Sequence, residues 1–300
     1  MAETDGTNHE LLALFTSARF AAGFLLPFRV DSESFRARGL KLSSLDRDKC
    51  MDILCCGMYR SCSTWQYNIA SELVERHGGS RLGFVDWRDY QPFARDRDWQ
   101  LRVLKTHDRH EIFATALRTN RALALYSIRD LRDVAFSIMH KFHISFDEVN
   151  APGGLLELCL VNDVFWTSLP NVLIQQYELI TEDSISAVRA IAQFIGIDLD
   201  TSAAGSLAVE YSLDRNRVRT DSLAQQLRNA GVDLEDPKNQ LRYDPKTLLH
   251  WNHLRSGSNG DWRERVTPEQ KAALAQVCGE WLIRRGYEAS LSWVEQRCER

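Results

Sequence analysis

Four short apolar runs, separated by stretches with helical spacing, constrain this chain more than any other feature of its sequence. Asp52–Gly57 (DILCCG), Leu101–Lys105 (LRVLK), Ala122–Ile128 (ALALYSI) and Val172–Tyr177 (VLIQQY) are each too short for a buried helix and read as core strands. Ser63–Arg76 reads as a helix closed by His77-Gly78-Gly79, and a second helix runs from Asp130 to about Phe142. Thr181 is expected to cap a third, whose Ile185, Val188, Ala192 and Ile195 recur at helical spacing before Gly196. Thr267-Pro268-Glu269-Gln270 opens a fourth: Thr267 as N-cap, Pro268 at the first helical position, and Gln270 completing a capping box. Leu274, Val277, Trp281 and Leu282 form its buried stripe. Strands alternating with helices predict an α/β fold, a central parallel sheet flanked by helices on both faces. Ligands in such folds bind beyond the carboxyl ends of the strands.

Length and charge narrow the function classes. The 300 residues, 44% of them hydrophobic, suffice for a sizeable core, and 37 basic against 41 acidic side chains leave a net charge of −4. A nucleic-acid binder would need a broad basic surface, so that class is set aside. The seven cysteines are odd in number and contain no CxxC pair, which argues against a structural zinc site and favours reduced thiols in the cytoplasm. His140 and His143 lack a third ligand at suitable spacing, so no metal is expected. Glu3, Asp5 and Glu10 carry the wrong charge for a signal peptide, and the uncharged run Phe20–Phe28 is too short to span a bilayer. Residues 1–45 read as a helical extension, with an amphipathic helix over Leu11–Phe24, and residues 46–300 as a single globular domain.

Three segments carry candidate chemistry. The first runs strand, then Gly57-Met58-Tyr59-Arg60-Ser61-Cys62-Ser63-Thr64-Trp65, then helix. That is the layout of a phosphate-binding loop, in which backbone N–H groups and a helix N-terminus face an anion. Arg60 adds a full charge, and Ser61, Ser63 and Thr64 add hydroxyls. Against the nucleotide-binding pattern GxxxxGK[ST], Cys62 stands at the second glycine and Ser63 at the lysine. The second segment places Arg129 at a strand end and Ser137 eight residues on, a pair suited to clamping another phosphate unless Arg129 pairs with Asp133. The third, Leu254-Arg255-Ser256-Gly257-Ser258-Asn259-Gly260-Asp261-Trp262-Arg263, is a glycine-rich loop. Its backbone can approach a ligand, with Arg255 as a further cation, while Asp261 and Trp262 suit either an anchor or a substrate contact.

Taken together these segments resemble the sulfotransferases that use 3′-phosphoadenosine-5′-phosphosulfate (PAPS). The family's TYPKSGTTW corresponds to GMYRSCSTW here, so Arg60 falls on its lysine and Ser63, Thr64 and Trp65 on its TTW. Arg129 and Ser137 match its 3′-phosphate pair, and RSGSNGDWR matches its RKGxxGDWK. Lys105-Thr106-His107 matches KTH, Tyr177-Glu178 its YE pair, and Phe194-Ile195-Gly196 its FxG. The resemblance runs from about residue 50 to about residue 270. It implies a P-loop-like sheet and direct in-line transfer of a sulfuryl group to a hydroxyl or amine of a small-molecule acceptor. His107 would be the general base, Arg60 and Lys105 would stabilise developing charge, and no metal would be needed. It also implies donor contacts from Arg60 to Trp65, from Arg129, Ser137 and Tyr177, from Leu213 near the adenine, and from Arg255, Ser256 and Gly257. The departures are Arg60 for lysine, Cys62 for glycine and Ser256 for lysine. The family's dimer pattern KxxxTVxxxE keeps Arg263 and Thr267 but has Pro268 and Ala272 in place of valine and glutamate, which leaves the oligomeric state open. Two other readings stand beside this one: a P-loop kinase acting on a small molecule, and a non-catalytic nucleotide-binding protein.

Overall fold

The computed structural model describes residues 51–92, 100–254 and 257–295. The expected N-terminal extension, Arg255 and Ser256 lie outside the described residues.

Five strands form one sheet: β1 (Met51–Cys55), β2 (Ser80–Phe84), β3 (Leu101–Lys105), β4 (Ala122–Ile128) and β5 (Val172–Gln176). Their order is β2-β3-β1-β4-β5, and every neighbouring pair is parallel. The helices are α1 (Ser63–Glu75), α2 (Glu111–Arg118), α3 (Leu131–Phe142), α4 (Phe146–Val149), α5 (Leu155–Thr167), α6 (Tyr177–Glu182), α7 (Ser184–Phe194), α8 (Thr201–Glu210), α9 (Leu213–Asn229), α10 (Trp262–Arg265) and α11 (Pro268–Arg284). The four expected strands are all present; β1 begins one residue and ends two residues earlier than expected, and β5 ends one residue earlier. The edge strand β2 was not expected: SRLGF is only partly buried, and its pairing with β3 slips between Arg81 and Gly83.

Alternation along each strand divides the core into two layers. Leu54, Leu104, Ala124 and Tyr126 pack with Val134 and Ile138 of α3, Trp166 of α5, and Leu274 and Trp281 of α11. Ile53, Cys55, Val103 and Leu125 pack on the other face with Tyr67, Ile69 and Leu73 of α1, and with Val188 and Ile191 of α7. Burying each large apolar side chain stabilises the fold by about 1.5–3 kcal/mol. With both faces covered, the inner strands read as continuous apolar runs rather than as alternating ones.

The α11 start is as the sequence suggests, with Thr267 accepting from the Gln270 N–H and Gln270 completing the capping box. The third expected helix is corrected. The chain turns helical already at Tyr177, which leaves Thr181 inside α6, and Asp183 caps α7 by accepting from the Ser186 N–H at 3.0 Å.

A charge is locked into the amino end of the sheet. Asp52 and Arg102 face each other across the β1–β3 ladder. The carboxylate accepts from the guanidinium at 2.7 and 2.9 Å and from the Tyr90 hydroxyl at 2.7 Å. Asp52→Ala would strand a half-buried cation and a buried hydroxyl, and should lower unfolding stability by about 3 kcal/mol in urea titration. A loss under about 1 kcal/mol would show that the pair does not hold the strands in register.

Candidate active site

The three inner strands and the edge strand β5 each deliver a candidate from the carboxyl end. The β1 chain runs into loop 56–62, β3 ends on Lys105 with His107 two residues later, β4 is followed by Arg129, and β5 by Tyr177.

Loop 56–62 is shaped by its approach to β4. A Cβ on Gly57 would lie 2.1 Å from Ser127 Oγ and 2.8 Å from the Ser127 nitrogen, so only glycine fits. The Met58 N–H donates to Ser127 O at 2.8 Å. The buried Ser61 hydroxyl lies 2.6 Å from Met58 O and 2.9 Å from both Ser127 oxygens, so it knits the loop to the sheet. Arg60 and Cys62 then take left-handed backbone, with φ of 61° and 74°. Cys62 is the N-cap of α1 and makes no side-chain cap bond, so its side chain leaves the first N–H groups of that helix uncapped, and Cys62, Thr64 and Trp65 border the space in front of the loop.

That space is a cavity of about 390 Å³ walled by Arg60, Cys62, Thr64, Trp65, Arg129, Ser137, Tyr177, Leu213 and Gly257. Among the described residues no carboxylate lines it. Arg60 bridges its two sides, donating from Nε to Ser137 Oγ at 3.0 Å and from Nη2 to His253 O at 2.7 Å. Arg129 lies 4.0 Å above the Tyr177 ring and donates to Ser258 O at 2.8 Å. Asp133 is 3.8 Å from it, so the suspected pair exists, but the same carboxylate mainly accepts the Gly260 and Trp262 N–H groups at 2.7 and 3.1 Å. This fixes the late loop over Arg129, with Trp262 buried as its anchor. The Arg129 Nε is buried with no hydrogen-bond partner among the described residues, a donor that an anion in this cavity would satisfy. Tyr177 donates its hydroxyl to Gly257 O at 3.0 Å, and Gly257, at φ 77°, lies under Leu213.

A second cavity of about 280 Å³ holds His107, Lys105, Ser61 and Ser63. Lys105 Nζ donates to Ser63 Oγ at 2.7 Å and stands 3.3 Å from His107 Nε2. His107 Nδ1 is 3.1 Å from Gly57 O. A carbonyl only accepts, so Nδ1 carries the proton and Nε2 keeps its lone pair toward Lys105 and the cavity. Burial, with Lys105 beside it, holds the imidazole well below its ordinary value of 6.5. Burial also brings Lys105 down to about 8. The two cavities share Arg60, Cys62, Thr64 and His253 as walls.

Residues 51–286 match the sulfotransferase domain family. The chain belongs to this family. It is similar to "Sulfotransferase 1C2" of Rattus norvegicus, 23% identical over 259 residues that cover 75% of this chain and 81% of the relative. It is also similar to "Sulfotransferase 2B1" of Homo sapiens, 24% identical over 274 residues covering 83% and 70%. Among solved structures, mouse sulfotransferase SULT7A1 complexed with PAP superposes with a TM-score of 0.52 at 17% identity, covering 83% of this chain and 88% of that one. Retinol dehydratase in complex with androsterone and inactive cofactor PAP gives 0.53 at 17% identity, covering 77% and 80%. Family membership sets aside the P-loop kinase reading.

Several wall residues of this sulfotransferase were not expected from its sequence. Lys141, His250 and His253 line the second cavity together with Tyr59, Phe84 and Tyr243. Lys141 sits one turn beyond Ser137 on α3, a spacing that could have flagged it. His253 meets Arg60 through its backbone carbonyl, for which no side chain gives a signal.

Cys62 occupies a position that favours glycine, and desolvation pushes its thiol up to about 12. Cys62→Gly should raise stability by about 1 kcal/mol by removing left-handed strain, and Cys62→Val should lower it. Urea midpoints read both; a Gly variant less stable than the parent would show that the thiol's packing outweighs the strain.

Proposed function

We propose that this chain moves the sulfuryl group of PAPS to a hydroxyl or amine of a small-molecule acceptor by in-line transfer. The observation that carries this reading is the pair of cavities meeting at Arg60, one lined by cations and helix N–H groups, the other by His107 and apolar side chains. The orphaned Arg129 Nε supports an anionic ligand in the first cavity, and the PAP bound to both solved relatives supports a nucleotide of that chemistry.

PAPS supplies a sulfuryl group activated by a phosphate leaving group. Arg129 and Ser137 hold the 3′-phosphate, and Trp65 and Leu213 flank the base. His107 Nε2 takes the proton from the acceptor as its oxygen or nitrogen bonds to sulfur and the sulfur–oxygen bond to phosphate breaks. Arg60 neutralises the charge that arises on the leaving oxygen, and Lys105 holds the sulfuryl oxygens. Such fixed charges act with little reorganisation in a water-poor site and supply much of the catalysis. The proton then leaves His107 for solvent, which balances the reaction. The imidazole is neutral at pH 7 because burial keeps it so, as a base requires.

A screen of hydroxyl and amine acceptors with labelled PAPS, read by mass shift, tests the reading; absence of transfer to any acceptor would sink it. His107→Ala should lower turnover by roughly 10²–10⁴-fold with donor affinity kept, and near-parental turnover would remove His107 as the base. Arg129→Ala should weaken binding of PAP far more than that of AMP, and equal weakening would overturn the 3′-phosphate assignment.

The pH profile has a definite sign. Lys105 holds an anion only when protonated, and that form is lost as pH rises through about 8. His107, held well below its ordinary value, is neutral at pH 7 and above. The donor kcat/KM, which reports the free enzyme, should therefore be flat near pH 7 and fall above about 8. Lys105→Arg should remove the alkaline fall, since a guanidinium stays charged. A profile that instead climbs from pH 7 to 8 would contradict both assignments.

A further inference from the structure

The second cavity contains a cation that the proposed chemistry does not use. Lys141 lies on α3 one turn past Ser137, is 7% exposed, and lines this cavity but not the first. Its ammonium lies 5.6 Å from the Phe142 ring and has no ion pair or hydrogen bond among the described residues. Among the described residues no aspartate or glutamate lines the cavity, and Ile138, Phe142, Leu155 and Leu248 supply apolar wall around it. The other two cations there are engaged: Arg60 with Ser137 and His253 O, Lys105 with Ser63 and His107. Burial, with Arg60 nearby, holds Lys141 well below its ordinary value, as expected of an ammonium without its counterion. With Arg60, His250 and His253 as neighbours and no counterion among the described residues, a buried ammonium is unfavourable unless an anion joins it.

We propose that the acceptor is a small, largely apolar molecule bearing a carboxylate, which pairs with Lys141 while its hydroxyl or amine reaches His107. This rests on the sulfuryl-transfer reading for the role of His107, but the pairing itself is a binding property. It makes Lys141 a specificity residue: a neutral molecule of the same shape leaves the ammonium buried and unpaired. The cavity volume of about 280 Å³ suits a ring or two rather than a steroid-sized frame.

The test uses the full chain loaded with PAP. The isomeric hydroxybenzoates and their methyl esters, alike but for the charge, are titrated calorimetrically into the parent and into Lys141→Gln. PAP affinity is measured for both proteins. The expected result is that at least one acid binds the parent about tenfold more tightly than its ester. That preference should vanish in Lys141→Gln while PAP affinity is unchanged, which also shows that the variant is folded. Equal binding of acid and ester, a preference that survives the substitution, or no binding by any member would overturn the proposal. A loss of PAP affinity in Lys141→Gln would overturn it too, by assigning the lysine to the donor. Transfer from labelled PAPS to the esters separates the two readings: turnover of esters without an acid preference removes the Lys141 assignment alone, whereas acid-selective binding without any transfer removes sulfuryl transfer alone.

Discussion

The site depends on the close packing of loop 56–62 against the end of β4. Gly57 admits Ser127 where no side chain could stand, and the Met58 N–H and the Ser61 hydroxyl tie the loop to Ser127. This contact sets the direction in which the chain leaves β1, and so fixes Arg60, the α1 N-terminus and the Gly57 carbonyl that orients His107. Three separate features of the site thus descend from one approach between neighbouring strands. Ser61 illustrates the cost of reading a loop by residue type alone: its hydroxyl is a natural anion donor, yet it is committed to the sheet.

Electrostatics does the rest, and it works locally. The whole chain is mildly acidic, yet among the described residues the walls of the two cavities hold Arg60, Arg129, Lys105 and Lys141 and no carboxylate. The acids near the site are turned to structural use. Asp133 holds the late loop by its backbone, and Asp130 with Glu288 holds the buried Arg132 beneath Trp262 and Trp293. The field inside is therefore positive where an anion would sit, and the burial that lowers Lys105 and His107 is the same burial that strengthens their interactions.

The sheet was legible because its inner strands are covered on both faces, which makes them short apolar runs with clear ends. The edge strand β2 was not, since one exposed side and a bulge at Gly83 erase the pattern. Helices α2, α5, α8 and α9 were also missed: α5 buries residues around most of its circumference and shows little amphipathic spacing, whereas α9 buries only Asn216, Thr220 and Ala224. In the site, the residues found from sequence are those whose side chains recur in a family pattern. Those missed, Lys141, His250 and His253, belong to the second cavity, where the wall comes from a segment near Leu241–Leu254 with no helical or strand period. Arg60 reaches that segment across 193 positions through a carbonyl, a contact that the residue type at 253 does not determine.

The central claim is that this loop grips a 3′-phosphorylated nucleotide. Calorimetric titration of PAP and of ATP with magnesium into the same protein tests it most directly. The account predicts one site for PAP per chain, indifferent to chelator, with ATP–magnesium bound far more weakly. Preferential, magnesium-dependent binding of ATP would contradict it.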